Sequence, residues 1–192
     1  IIKCNLTESE AFASEAALIN IFNYVENSRL TNIVAGHHSI GALSVEDFEK
    51  IYGAEELQKS DIQHKIMIIK INKLYKKGME ENVLYDSVRG IWRASMNRVK
   101  DVEYVFGVYN SLIVAVYKPT SWHVCKDAVD KLPKHVTQLT EKTENRIFFV
   151  DEGFENHMRP DGPEKFYLYK SIASLKVNQS AQNPITYLNP VE

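Results

Sequence analysis

The sequence predicts an α+β protein in two parts. A strand and helices come first, and a run of short strands arranged as a small β-barrel follows. Three observations carry this. Thr7-Glu8-Ser9-Glu10 has the hydroxyl-to-carboxylate spacing of a capping box and opens a run with apolar residues at three- and four-residue steps. Two β-rich runs flank Asn110-Ser111, a connection short enough for a tight hairpin. Charge also changes sign along the chain. Residues 1–59 hold nine acidic side chains against four Lys or Arg, whereas residues 65–100 hold nine Lys or Arg against three acids.

The elements follow in order. Residues 1–6 read as a strand, and 7–25 as a helix capped by Thr7. Asn27, Ser28 and Asn32 mark a turn, and Gly36-His37-His38-Ser39-Ile40-Gly41 a flexible connection. Ser44 caps a second helix, with Val45, Phe48 and Ile51 inward and Gly53 as its stop. Residues 54–63 are polar and charged without a core pattern of their own. The domain junction is expected there, between a domain over 1–58 and another over 64–192.

In the second part, 65–72 is apolar enough for a strand, Gly78 opens a loop, and 80–88 suggests a short helix closed by Gly90. Strands are expected over 104–109, 112–117, 146–150 and 185–188, with Pro119 ending the second. Residues 126–145 read as a long polar surface connection. Several short strands with one or two small helices suit a compact, partly closed barrel.

Composition narrows the function. The chain has 192 residues, is 44% hydrophobic and carries a net charge of -2, so any nucleic-acid surface has to be local. Cys4 and Cys125 lie far apart and in no metal-ligand spacing, which predicts a reducing, cytoplasmic setting without a disulfide. No apolar run reaches membrane-spanning length, so no membrane partner is expected. Because the chain starts at Ile1 in strand-like residues, it reads as a piece of a longer protein.

Glu15 is the carboxylate of interest. Steps of three and four from Phe12 through Glu15 to Ile19 and Phe22 place it on the apolar stripe of the first helix. A bare buried carboxylate costs several kcal/mol, so it is expected to hold a cation, find a hydrogen-bonding partner or raise its pKa. A plain pairing with Arg29 or Lys3 satisfies the same demand.

The segment Glu10-Ala11-Phe12-Ala13-Ser14-Glu15-Ala16-Ala17-Leu18-Ile19, with Leu30-Thr31-Asn32 and the Gly36-His37-His38 loop, resembles the later half of a GIY-YIG endonuclease domain. The likeness covers about residues 1–55 and is nearest to the subgroup of LEM-domain and ankyrin-repeat nucleases. It implies that Glu15 binds one divalent ion, Mg²⁺ or Mn²⁺, and that Asn32 supports the catalytic site. The family's two tyrosine-bearing tripeptides and the Arg of its first helix would precede Ile1 and are absent. Hydrolysis needs an activated water, a metal and cationic help on the phosphate. The chain by itself is therefore expected to show little or no nuclease activity. His37 and His38 offer two imidazoles in a loop without a third ligand, a pattern that more often marks a solvated loop. His123 and His135 have no evident partner.

In the second part, Arg89, Trp92, Arg93 and Arg98 mix guanidinium groups with an indole, a combination suited to phosphate contact and base stacking. Trp122 adds another aromatic. Trp92, just after Gly90 and between basic residues, is the aromatic expected to be exposed or to line a pocket. Leu84-Tyr85, Val88-Arg89-Gly90-Ile91-Trp92-Arg93, Tyr104-Val105-Phe106-Gly107-Val108-Tyr109, Trp122, Tyr169-Lys170-Ser171-Ile172 and Gln182-Asn183-Pro184-Ile185 resemble an uncharacterised domain that accompanies bacterial GIY-YIG modules. That domain is similar to PUA-like folds, including EVE and ASCH domains, which implies binding of RNA or of modified bases in DNA. The resulting expectation is a metal-dependent endonuclease acting on DNA, with RNA as a further partner, joined to a nucleic-acid-binding barrel. The alternatives are a non-enzymatic nucleic-acid or modified-base binding module and a protein-interaction domain. The sequence leaves the oligomeric state open.

Overall fold

The computed structural model describes residues 6–24, 49, 53–154, 162–175, 177 and 183–190. The chain divides into two compact units, Ile1–Lys50 and Ile51–Glu192.

In the first unit, helix α1 spans Glu8–Tyr24. Its entry is the capping box read from the sequence. The Thr7 N–H donates to Glu10 Oε2 at 2.9 Å, and the Glu10 N–H donates to Thr7 Oγ1 at 3.3 Å. The Thr7 N–H bond, and after it the Thr7 hydroxyl donating to the same Glu10 Oε2 at 2.8 Å, hold the Glu10 carboxyl below the usual glutamate range. The strand over 1–6 (but for Leu6), the second helix from Ser44 (but for Glu49, which is helical), Asn32, His37 and His38 lie outside the described residues.

The second unit contains β1 (Ile66–Lys70), α2 (Glu81–Arg89), α3 (Met96–Val99), β2 (Tyr104–Tyr109), β3 (Leu112–Tyr117), β4 (Ser121–Val124), β5 (Ile147–Val150), α4 (Pro163–Tyr167) and β6 (Ile185–Leu188). The architecture is α+β. An open, mixed sheet runs β3-β2-β1-β6, and β4 pairs with β5 in a second, antiparallel sheet. β1 and β2 are parallel, with Ile66 beside Tyr104, so the connection between them needs a crossover, which α2 and α3 supply. β2 and β3 form the expected hairpin. Its turn residues Asn110 and Ser111 both have positive φ, 45° and 68°, the twist that a two-residue hairpin demands.

Every residue of β1 and β3 is buried, so the four-stranded sheet is covered on both faces. On one face Ile66, Ile68, Phe106, Val108, Ile113 and Val116 pack with Leu57, Ile62, Tyr167 and Ile172. Ile113 and Val116 are three apart and would fall on opposite faces of a regular strand. The register slips by one between Gly107 and Val108, and this bulge brings both to the same core. On the other face α2 crosses at Gly107, where a Cβ would stand 2.6 Å from Val88 Cγ2. Tyr85, Tyr117 and Phe149 meet there, with Tyr85 and Tyr117 ring centroids 5.0 Å apart.

The stretch expected to be a junction belongs to the second unit. Leu57 is fully buried, Ile62 is 3% exposed, and the Leu57 N–H donates to Ser171 O at 2.8 Å. Residues 169–172 in turn bond to the edge of β3, through the Ile113 N–H to Lys170 O at 3.0 Å and the Ile172 N–H to Ser111 O at 2.8 Å. These two short segments shield an edge that would otherwise offer unpaired backbone groups. Two apolar side chains five residues apart in a charged stretch show no period, which is why they read as linker.

Candidate nucleic-acid interface

Glu15 faces solvent. This corrects the expected burial of its side chain. Buried character in α1 starts one turn later, where Leu18 is half-buried and Ile19 is 7% exposed, while Phe12 is 40% exposed. An apolar stripe buries a carboxylate only where something packs on it, and Phe12 and Glu15 are both exposed. Among the described residues, no three His, Cys, Asp or Glu side chains gather to hold a metal ion.

The basic residues of the second unit separate into two classes. Arg89, in the last turn of α2, is held on every side. Its Nε donates to Asp86 Oδ1 at 2.7 Å, Nη1 to Lys131 O at 3.1 Å and Nη2 to Leu132 O at 3.0 Å. Its guanidinium also lies 5.0 Å from the Tyr85 ring centroid. Asp86 Oδ2 accepts the Lys134 N–H at 3.0 Å, so the pair ties the 126–146 connection to α2. Three of its five N–H donors are taken by a carboxylate and two carbonyls, and only 11% of the side chain is exposed, so little of the fork is open to a phosphate. The expected role of Arg89 as a nucleic-acid contact is therefore corrected to that of a clamp.

Trp92 is likewise committed. Its Nε1–H donates to Val88 O at 2.8 Å and satisfies a carbonyl at the C-terminal end of α2. The ring lies against Gly90, where a Cβ would meet two indole carbons at 2.9 Å. Through its backbone it also bridges Ile147 of β5. Absence of a side chain at residue 90 is what lets the indole fold back, so Trp92 is half-buried rather than an exposed stacking platform.

Trp122 on β4 is half-buried, its ring 5.4 Å from that of Phe149, and among the described residues its buried Nε1 has no hydrogen-bond partner. One residue on, His123 acquires a partner that the sequence did not suggest. Its Nε2 lies 2.8 Å from Ser121 Oγ, two residues back on the same strand face. That pairing becomes legible only once 121–124 is known to be a strand, because the period of two brings the side chains together.

Arg93 and Arg98 are exposed. α3 buries Val99 and turns Asn97, Arg98 and Lys100 outward. The Arg98 guanidinium sits 4.3 Å from the ring centroid of Tyr187 on β6, the opposite edge of the sheet from β3. Among the described residues, Arg93, Arg98 and Lys100 pair with no carboxylate. The nearest acids in sequence are engaged with Lys65: Asp101 at 3.7 Å from its Nζ, and Glu103 Oε2 accepting its backbone N–H at 2.8 Å. Burial pushes the Tyr187 hydroxyl up, with Arg98 opposing. Arg98 thus sets an exposed cation against an aromatic ring, with Arg93 and Lys100 exposed close by in sequence.

No helix among the described residues is long and apolar enough to cross a membrane. Comparison of the chain with family models, curated proteins and solved structures finds no match.

Proposed function

We propose that the second unit is a nucleic-acid-binding module whose contact surface is formed by Arg93, Arg98 and Lys100 beside Tyr187. The observation that carries this is the placement of Arg98. It stacks on Tyr187 at 4.3 Å and keeps its in-plane donors clear of any described carboxylate. A stacked guanidinium is held in position yet retains the fork that meets a phosphate. Short strands in two sheets around a shared aromatic core are also in keeping with the PUA-like resemblance of the sequence. DNA is the proposed ligand, with RNA as the alternative.

The test is fluorescence anisotropy with short labelled single-stranded and duplex oligonucleotides at low and high salt. Affinity falls with salt, and Arg93→Ala and Arg98→Ala each lower the slope of log K against log salt by about one. Binding that ignores salt, or a double variant that binds as the parent does, removes the proposal.

A nuclease role for the first unit is a second proposal. It rests on the GIY-YIG resemblance alone, because Glu15 faces solvent and lacks the buried setting expected of it. Asn32, the other expected catalytic residue, is part of this proposal through the resemblance alone. A form of the chain extended upstream through such tyrosine-bearing tripeptides is expected to cleave DNA with Mg²⁺ or Mn²⁺ and to lose that activity in Glu15→Ala. A longer protein inert with both ions ends this reading.

A further inference from the structure

Away from Arg93 and Arg98, the loop after β1 and the first turns of α2 form one wall of a groove of about 570 Å³; Lys134 and His135 lie opposite. That volume is in the range of small-ligand sites. Leu74, Met79 and Val83 give it an apolar side, and Leu74 and Val83 are 50% and 47% exposed. The chain holds these residues in place. Gly78 turns the loop with φ +72°, and Met79 Sδ accepts the Lys76 N–H at 3.4 Å, fixing an apolar side chain beside a cation. Opposite, the Arg89 and Asp86 bonds anchor residues 131–134.

The charge of the groove is positive. Lys76 and Lys134 line it, and neither ammonium is ion-paired among the described residues. Asp86 is its one lining carboxylate, and both oxygens are taken, by Arg89 Nε at 2.7 Å and the Lys134 N–H at 3.0 Å. We infer that this groove binds a nucleotide-sized anion. An aromatic or apolar body lies against Leu74, Met79 and Val83, and a phosphate meets Lys76 and Lys134, with His135 as a further donor. A free mononucleotide and a nucleotide within a single strand present the same chemistry.

The experiment is amide NMR of the full chain titrated separately with AMP, adenosine and inorganic phosphate. AMP is expected to move the signals of Val83, Lys134 and His135. It is also expected to bind on the order of tenfold tighter than either fragment, because both halves of the groove contribute. Val83→Glu, at an exposed helix position, and Lys134→Glu each weaken AMP by on the order of tenfold. If Lys134→Glu disturbs the fold, Val83→Glu carries the test. A short oligothymidylate that displaces AMP assigns the groove to a strand, and failure to displace it assigns the groove to the free nucleotide. AMP shifts confined to another surface, phosphate binding as tightly as AMP, or a correctly folded Val83→Glu with unchanged affinity overturns the inference. The AMP titration, run before any oligothymidylate is added, contains no DNA and spares Arg93 and Arg98, so its failure and that of the binding surface proposed above are distinguishable.

Discussion

The guanidinium of Arg89 meets a carboxylate, two backbone carbonyls and an aromatic face, with only 11% of its side chain exposed. Arg98 touches the Tyr187 ring and reaches into solvent. Residue type and sequence neighbourhood do not distinguish them, but stability measurements are expected to. Arg89→Ala leaves Asp86, itself 14% exposed, without its cation and frees the 131–134 segment. The expected loss is about 3 kcal/mol by urea unfolding, as for a nearly buried pair broken on one side. Arg98→Ala is expected to change stability by less than about 1 kcal/mol, the scale of an exposed cation–aromatic contact, and to act on nucleic-acid affinity instead. Equal destabilisation by both variants contradicts the division into clamp and contact.

At the scale of elements, local rules decide most of the outcome. The Thr7–Glu10 capping box, the Gly90 stop and the Asn110-Ser111 turn occur where the sequence puts them. β1, β2, β3, β5 and β6 fall within or on their expected ranges. β4 and α3 were not legible. Ser121–Val124 is four residues long and half-buried throughout, and its pairing with β5 comes from 23 or more residues away in the chain, as in Val124 with Ile147. Gly107 shows how an element depends on its neighbour. Its missing Cβ admits Val88, and Val88 is fully buried and β-branched, with little freedom to turn aside. Gly107→Ala is therefore expected to destabilise by about 1–3 kcal/mol through overpacking. Urea midpoints check this, and a neutral or stabilising result shows that α2 can lift from the sheet.

Across the whole molecule, buried tyrosines are expected to set the alkaline limit. Burial pushes the hydroxyls of Tyr85, Tyr117 and Tyr167 up from the ordinary tyrosine value of 10, Tyr117 furthest. The folded state keeps these protons while the unfolded chain releases them above that value. The stabilisation is complete below pH 10 and declines as pH rises toward the folded pKa values. Tyr117, fully buried, alone removes about 1.4 kcal/mol per pH unit in that window. Lys70 on β1 acts in the opposite sense, since burial lowers its pKa and raising pH relieves its penalty. One lysine is outweighed by these tyrosines, with Tyr187 and Cys125 shifted in the same direction, so the net is a loss. Unfolding followed by circular dichroism should coincide with the rise in tyrosinate absorbance, and Tyr117→Phe should move the midpoint to higher pH. Tyrosinate appearing well before unfolding shows instead that the hydroxyls ionise in the folded state.

The sequence by itself determined where the chain turns, caps and alternates, because those features depend on residues a few positions apart. It also determined that positive charge concentrates over residues 65–100. Only the tertiary structure decided which charges remain available. Arg89 and Trp92 are consumed by carbonyls of the 131–132 segment and of α2, and Glu15 is left in solvent. Burial and hydrogen-bond saturation depend on partners distant along the chain, which no spacing within a helix or a strand can specify.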